Sequence, residues 1–319
     1  MTGCSNDSDT PAAKKQTPSA STAPRPTPAL STAQARDVIA HYSEINNKAN
    51  AGYDKALVAT IETGPQLAQT LSTYKQEQGL PQADRTAYEP WAYDTNTAQL
   101  YIPKFTEGQK RWFAATVYAG INKKYARYLV FAENPGQHRW ELTAAIDLDN
   151  GQAPPIALDS DGNATTVSTA ADALRNAVTD NFATGGSGDA KKTLADTPAS
   201  RTQVEVHQKV GTRLKPRGKT TFAAGENTYP DSYALKTADG GSLIVFAHQH
   251  TQTDTPVEAG LAIQPDKLER AWLGDKPLSS VTYTFTCNDI VQTTASGGPA
   301  SLLSYTCART DAQGPAQRI

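Results

Sequence analysis

The sequence predicts an α+β protein made of two tandem domains behind a disordered N-terminal tether. Three observations lead there. The first thirty residues hold almost no large apolar side chain. Helical periodicity then gives way to strand periodicity twice, in the same order. A cluster of turn residues at 149–165 separates the two runs. A chain of 319 residues has room for about two domains of roughly 150 residues. The resulting division is a tether at 1–30, a first domain at 31–150 and a second at 151–319.

The tether follows from composition. Residues 5–32 are nearly all Ser, Thr, Ala and Pro, with no aromatic residue and with Leu30 as the one large aliphatic. Pro11, Pro18, Pro24, Pro26 and Pro28 exclude a helix. Such a stretch cannot bury enough apolar surface to offset the entropy of ordering it.

Ser31 is placed to cap a helix over 31–60. Val38, Tyr42, Ile45, Ala49, Tyr53 and Ala56 recur at spacings of three and four and mark its apolar stripe. Gly64-Pro65 opens a second helix with Leu67, Leu71 and Tyr74 on one face. Four strands follow near 100–102, 112–118, 125–131 and 140–146, separated by glycine- and asparagine-containing turns. In the second half, Ala171, Leu174, Val178 and Phe182 form a helical face, and a further helix is expected near 200–211. Strands are expected near 219–224, 232–238, 242–250, 257–263, 280–293 and 301–309.

Of the three cysteines, Cys287 and Cys307 lie in the last hairpin. Val281, Tyr283, Phe285 and Cys287 alternate with Thr282, Thr284 and Thr286, and Leu303, Tyr305 and Cys307 alternate likewise. The two positions average to 297, the middle of the turn signal Ala295–Pro299, so a hairpin centred there sets the cysteines opposite each other. A disulfide is then within reach, and closing a loop of about 20 residues would stabilise by about 3 kcal/mol. The competing reading is a pair of free thiols in a reducing compartment.

With Lys+Arg 30 against Asp+Glu 32, the chain lacks the basic block that non-specific nucleic-acid binding needs. It also contains no run of about 18 apolar residues. It carries no Gly-x-Ser-x-Gly, P-loop, dinucleotide fingerprint or His-Glu-x-x-His. No catalytic residue and no cofactor is therefore assigned. His248 and His250 point to one face of a strand, as in His-x-His metal sites; otherwise they continue the face of Ile244 and Phe246 to the sheet rim. Asp159–Asn163 reads as a turn, because the distant glutamate of a calcium loop is missing. Tyr42, Trp91, Tyr93, Tyr101, Trp112 and Trp140 either line a ligand pocket or fill the core.

Met1-Thr2-Gly3-Cys4 resembles the end of a bacterial lipobox. That resemblance implies a diacylglycerol thioether on Cys4, cleavage of a signal peptide before it, and upstream parts of that signal beyond the sequence given. The Ser/Thr/Pro stretch would then hold the body away from the membrane. In element order, 31–148 resembles nuclear-transport-factor-2-like (cystatin-like) domains, in which helices lie across a curved antiparallel sheet, and the second half does so more loosely. The whole chain resembles surface lipoproteins of high-GC Gram-positive bacteria, through Thr2-Gly3-Cys4-Ser5, the stalk, Ile45–Asn50 and Arg111–Ala114. These resemblances imply a lipid-anchored protein on the extracytoplasmic face of the cell membrane. It would bind a small ligand, a cell-wall component or a surface protein. The alternatives are an enzyme of hydrolase or isomerase type using a cone-shaped pocket, and a structural spacer or envelope assembly factor.

Overall fold

The computed structural model describes residues 1, 3, 25–118, 126–148, 151–169, 171–258 and 260–317. Its first strand, β1 (Thr27–Pro28), pairs with β3 (Lys104–Phe105), and Ala29 N–H donates to Pro103 O at 2.8 Å. Ala29 and Leu30 are 1% and 8% exposed. Residues 27–30 therefore belong to the body, which corrects the tether boundary at 30. Leu30, the one large aliphatic of the segment, anchors this end in the core.

Helix α1 (Thr32–Gly52) starts at a capping box: Gln34 N–H donates to Ser31 Oγ at 3.2 Å, and Ser31 N–H to Gln34 Oε1 at 2.8 Å. It stops short of 60 because Tyr53 takes a left-handed conformation (φ 52°) and Asp54 caps a separate short helix, α2 (Lys55–Val58). The buried face of α1 is Ala35, Ile39, Tyr42, Ser43, Asn46 and Ala49. It is thus rotated from the apolar stripe towards polar residues, of which Ser43 donates to Ile39 O and accepts from Tyr93 N–H. Helix α3 (Gly64–Gly79) begins with Pro65 in its first turn. Strands β2 (Gln99–Tyr101), β4 (Trp112–Tyr118), β5 (Ala126–Asn134) and β6 (Arg139–Leu148) form an antiparallel sheet in the order β2-β4-β5-β6.

The second half supplies α4 (Ala171–Ala183), α5 (Ala190–Thr193), α6 (Pro198–Thr212) and α7 (Arg270–Leu273). Its strands are β7 (Gly218–Ala224), β8 (Ser232–Lys236), β9 (Ser242–Pro256), β10 (Val281–Thr293) and β11 (Ser301–Gln313). They run β11-β10-β9-β7, with β8 pairing to the start of β9 and β7 to its end. The strand expected at 257–263 is instead a connection beyond the 15-residue β9; Ile263 makes only an isolated bridge to Leu278.

The second sheet is buried on both faces where β8, β9 and β10 meet, which is why Leu243–Ala247 is an unbroken apolar run. Tyr233, Leu235, Leu243 and Val245 join the core of the first half, while the alternating Ala234, Ile244 and Phe246 pack with α4. Helix α3 ties the halves further: Gln69 Nε2 donates to Thr286 O (2.9 Å) and Thr306 O (3.1 Å). The cut near 150 divides the elements along the chain, but one hydrophobic core spans it. At the hairpin the register is as expected. Cys287 pairs with Cys307 and the two form a disulfide, with a register shift on either side, between Thr284 and Phe285 and between Ile290 and Val291.

Candidate functional site

A cavity of about 410 Å³ lies between α1, α3 and the segment at 86–91. Tyr42, Asn46 and Asn50 stand one turn apart on α1 and face it; Gln66, Thr70 and Tyr74 do the same on α3. Asn47 holds the third wall like a neighbouring strand. Its Nδ2 donates to Trp91 O (2.7 Å), while its Oδ1 accepts from Trp91 N–H (3.1 Å) and from Tyr88 Oη–H (2.5 Å). Tyr74 Oη donates to Asn50 Oδ1 at 2.5 Å, bridging the two helices.

Glu62 sits on the inner wall and is 1% exposed. Its position is fixed from both sides: Thr63 N–H donates to Leu142 O (3.0 Å) and Leu142 N–H to Ile61 O (2.7 Å), which adds the Glu62 segment to β6. Tyr42 Oη donates to Glu62 Oε1 at 2.8 Å. Burial pushes the Glu62 carboxyl up to about 7, with the Thr70, Tyr42 and Gln66 side chains opposing the rise. Burial, and then the Glu62 charge, hold the Tyr42 phenol well above its ordinary value. Glu62 Oε2 and Gln66 Oε1 are buried acceptors without an aligned hydrogen-bond donor in the protein. Glu77 and Glu89 add carboxylates to the lining. Arg127, the basic residue of the lining, is engaged by Asp147 at 2.6 Å.

Of the six aromatic residues expected to line a pocket, Tyr42 and Trp91 do so here. Tyr93 packs behind them, its ring centroid 6.2 Å from Tyr42 and 4.7 Å from Trp91. Tyr101 and Trp112 fill the interior, Tyr101 stacked on Tyr128 and Trp112 edge-on to Tyr233, while the half-buried Trp140 packs edge-on to Phe113 and lines a different cavity beside the start of α1. The reason is strand geometry. Tyr101, Trp112 and Trp140 lie on the sheet, whereas the cavity is made by the helices and the 86–91 segment. Sequence reasoning missed Glu62, Gln66 and Tyr88. The available signal was a single carboxylate between Ile61 and the helix start Gly64-Pro65.

His248 and His250 do share a face of β9, but not at a rim: they are 2% and 4% exposed. Helix α4 covers them, and the His250 ring lies parallel between Phe182 (4.1 Å) and Phe285 (5.0 Å). His248 Nδ1 donates to Asp289 Oδ2 at 2.5 Å, and His248 Nε2 stands 3.3 Å from His250 Nδ1. With the first bond fixing the His248 tautomer, the chain reads as His250 N–H to His248 and His248 N–H to Asp289. Burial, and then the neighbouring His248, push His250 down to about 2, so its ring is neutral. Cys287 Sγ lies 4.0 Å from His250 Nδ1. Cys287 also sits directly opposite His248 in the β9–β10 register. His207 is turned elsewhere, towards Phe182 O. The Asp159–Asn163 turn is neutralised by Lys104, whose Nζ is 2.8 Å from Asp159 and 2.5 Å from Asp161.

Residues 26–314 match the model of a family described as a domain of unknown function, DUF8094. The chain belongs to that family. Two relatives, both from Streptomyces coelicolor, are described as uncharacterized lipoproteins. One is 50% identical over 323 residues, covering 99% of this chain and 91% of the relative. The other is 27% identical over 280 residues, covering 85% and 82%. No solved structure matches this DUF8094 member. Among its described residues, no helix is long and apolar enough to cross a membrane. Cys4, the expected lipid attachment point, lies outside the described residues.

Proposed function

We propose that this DUF8094 protein is a lipid-anchored binding module on the outer face of the cell membrane, and that it seats a small organic cation in the cavity between α1 and α3. Anchoring through Cys4 is supported by the lipoprotein relatives and by Met1-Thr2-Gly3-Cys4. The Ser/Thr/Ala/Pro stretch would be the spacer. A free amine solute and an amine-bearing wall component offer the cavity the same chemistry. Helices α1 and α3 followed by the sheet β2-β4-β5-β6 support the cone-like reading of 32–148. We read the two tandem units as docked halves of one body, a reading supported by the hydrophobic core that crosses residue 150.

One observation carries the ligand class: Glu62 Oε2 and Gln66 Oε1, two buried acceptor oxygens without an aligned donor, belong to residues that line an aromatic-walled cavity. A buried acceptor without a donor costs about 1–3 kcal/mol, which a ligand N–H would recover. The half-buried Tyr88 and Trp91 of the lining are aromatic side chains of the kind that attract a cation. Three carboxylates (Glu62, Glu77, Glu89) against the already paired Arg127 give the site the matching sign.

The test is titration of the protein with methylammonium, tetramethylammonium and neutral isosteres of each, read by tryptophan fluorescence and calorimetry. The expected result is saturable binding of a cation that is at least tenfold tighter than its isostere, weakens below about pH 7 and is lost in Glu62→Gln. Equal binding of cation and isostere, or an unchanged Glu62→Gln, would refute the ligand class. The anchor is tested separately by the mass of the protein from native membranes. A diacylglycerol increment on a chain beginning at Cys4 is expected, and an unmodified Cys4 refutes it.

A further inference from the structure

We propose that Cys287, His248 and His250, with Cys307 as fourth donor, form a zinc site that exists only when the Cys287–Cys307 disulfide is reduced. The geometry is that of a metal site with its sulfur donors locked to each other. His248 Nε2 and His250 Nδ1 are 3.3 Å apart. Two nitrogens bound to tetrahedral zinc at about 2.0–2.1 Å stand about 3.3–3.4 Å apart, and a sulfur at about 2.3 Å stands about 3.6 Å from a nitrogen. Cys287 Sγ is 4.0 Å from His250 Nδ1, and the three donor atoms lie within 4.8 Å of one another. A freed thiolate closes the remaining gap by a side-chain rotation.

The surroundings match a metal centre as well. Asp289 accepts the Nδ1–H of His248, so His248 Nε2 carries a lone pair, the usual carboxylate–histidine–metal arrangement; zinc would replace the His250 Nδ1 proton that now points at it, with His250 taking the tautomer protonated at Nε2. The sulfur of a disulfide is a poor zinc ligand and a thiolate a strong one, so the oxidised protein holds the site shut. Opening it needs a dithiol reductant. Exchange breaks the Cys287–Cys307 bond and forms the reductant's own disulfide, passing two electrons and two protons to the protein sulfurs. Zinc then displaces both thiol protons. Two thiolates and two neutral imidazoles around a dication carry no net charge, which suits a site where His248, His250 and Cys287 are buried and Cys307 is half-buried. The disulfide and the zinc centre are alternative clasps on one β9–β10–β11 row. The proposal is independent of the α1–α3 cavity.

The test begins with protein reduced by a dithiol and desalted without oxygen, then titrated with Co²⁺ as spectroscopic probe. Reduced wild type is expected to take up one equivalent with tetrahedral d–d bands and thiolate-to-cobalt charge transfer, while the oxidised protein gives neither. His250→Gln should weaken the uptake at least tenfold and Asp289→Asn ten- to hundredfold, with His207→Gln unchanged. Because a buried substitution can impair folding, a second measurement uses wild type alone: zinc should slow alkylation of both thiols in the reduced protein. Absence of the charge-transfer band, its full retention in both His248→Gln and His250→Gln, or alkylation rates indifferent to zinc would each overturn the proposal.

Discussion

Replacing Glu62 by glutamine is expected to remove a large part of the pH dependence of folding stability on the alkaline side of the carboxylate range. The folded-state value is about 7 and the ordinary value 4.5, raised chiefly by burial. A raised carboxyl means that the native state holds its proton more tightly than the unfolded chain does. The associated stability is complete below about pH 4.5 and falls as pH rises through about 7. At about 1.4 kcal/mol per unit, the full loss is about 3 kcal/mol, of which roughly 2.5 kcal/mol falls between about pH 5 and pH 8. Glu62 is 1% exposed, so solvent screening does little to reduce this figure. Glutamine keeps an acceptor for Tyr42 and has no charge to bury. Urea unfolding followed by tryptophan fluorescence, at both pH values and in both proteins, measures the difference. Wild type should lose about 2–3 kcal/mol more than the variant on going from the lower pH to the higher. Parallel pH profiles would refute the reasoning, because they would mean that Glu62 is hydrated or paired in the native state. A bound cation should act in the opposite direction, pulling the Glu62 value down and restoring stability at high pH.

Tyr42→Phe removes the one aligned donor to Glu62 and should destabilise by about 1–3 kcal/mol while raising the Glu62 value further, measurable by carboxyl titration in NMR. Cys287→Ser/Cys307→Ser should cost about 3 kcal/mol in the same urea assay, from loss of a clasp spanning 20 residues. Gly241→Ala places a Cβ 2.0 Å from Thr293 O, so the strand β9 start must shift; a loss of at least about 2 kcal/mol is expected, and a neutral melt would contradict the packing. Ser31→Ala breaks the capping box of α1 and should lower stability by about 1 kcal/mol.

Most secondary structure was legible because helical and strand periods are local properties of the chain. The helix start at Ser31, the alternation through Val281–Cys287 and the opposed Cys287 and Cys307 needed only neighbours along the sequence or a mirror-like turn. That His248 and His250 share a face followed from the two-residue strand period alone. Tertiary structure decided everything that depends on which faces meet. Asp289 reaches His248 across 41 residues because β10 pairs with β9 in one register, and the helix α4 that buries the pair comes from another part of the chain. Glu62 looked like an ordinary charge between two helices. It became a buried acid only when its segment joined β6 and the polar stripes of α1 and α3 closed around it. Likewise, the separation at 150 was a fair reading of turns along the chain. The core that crosses it depends on how an apolar run on β9 is covered on its two faces, and the sequence records the run without recording what covers it.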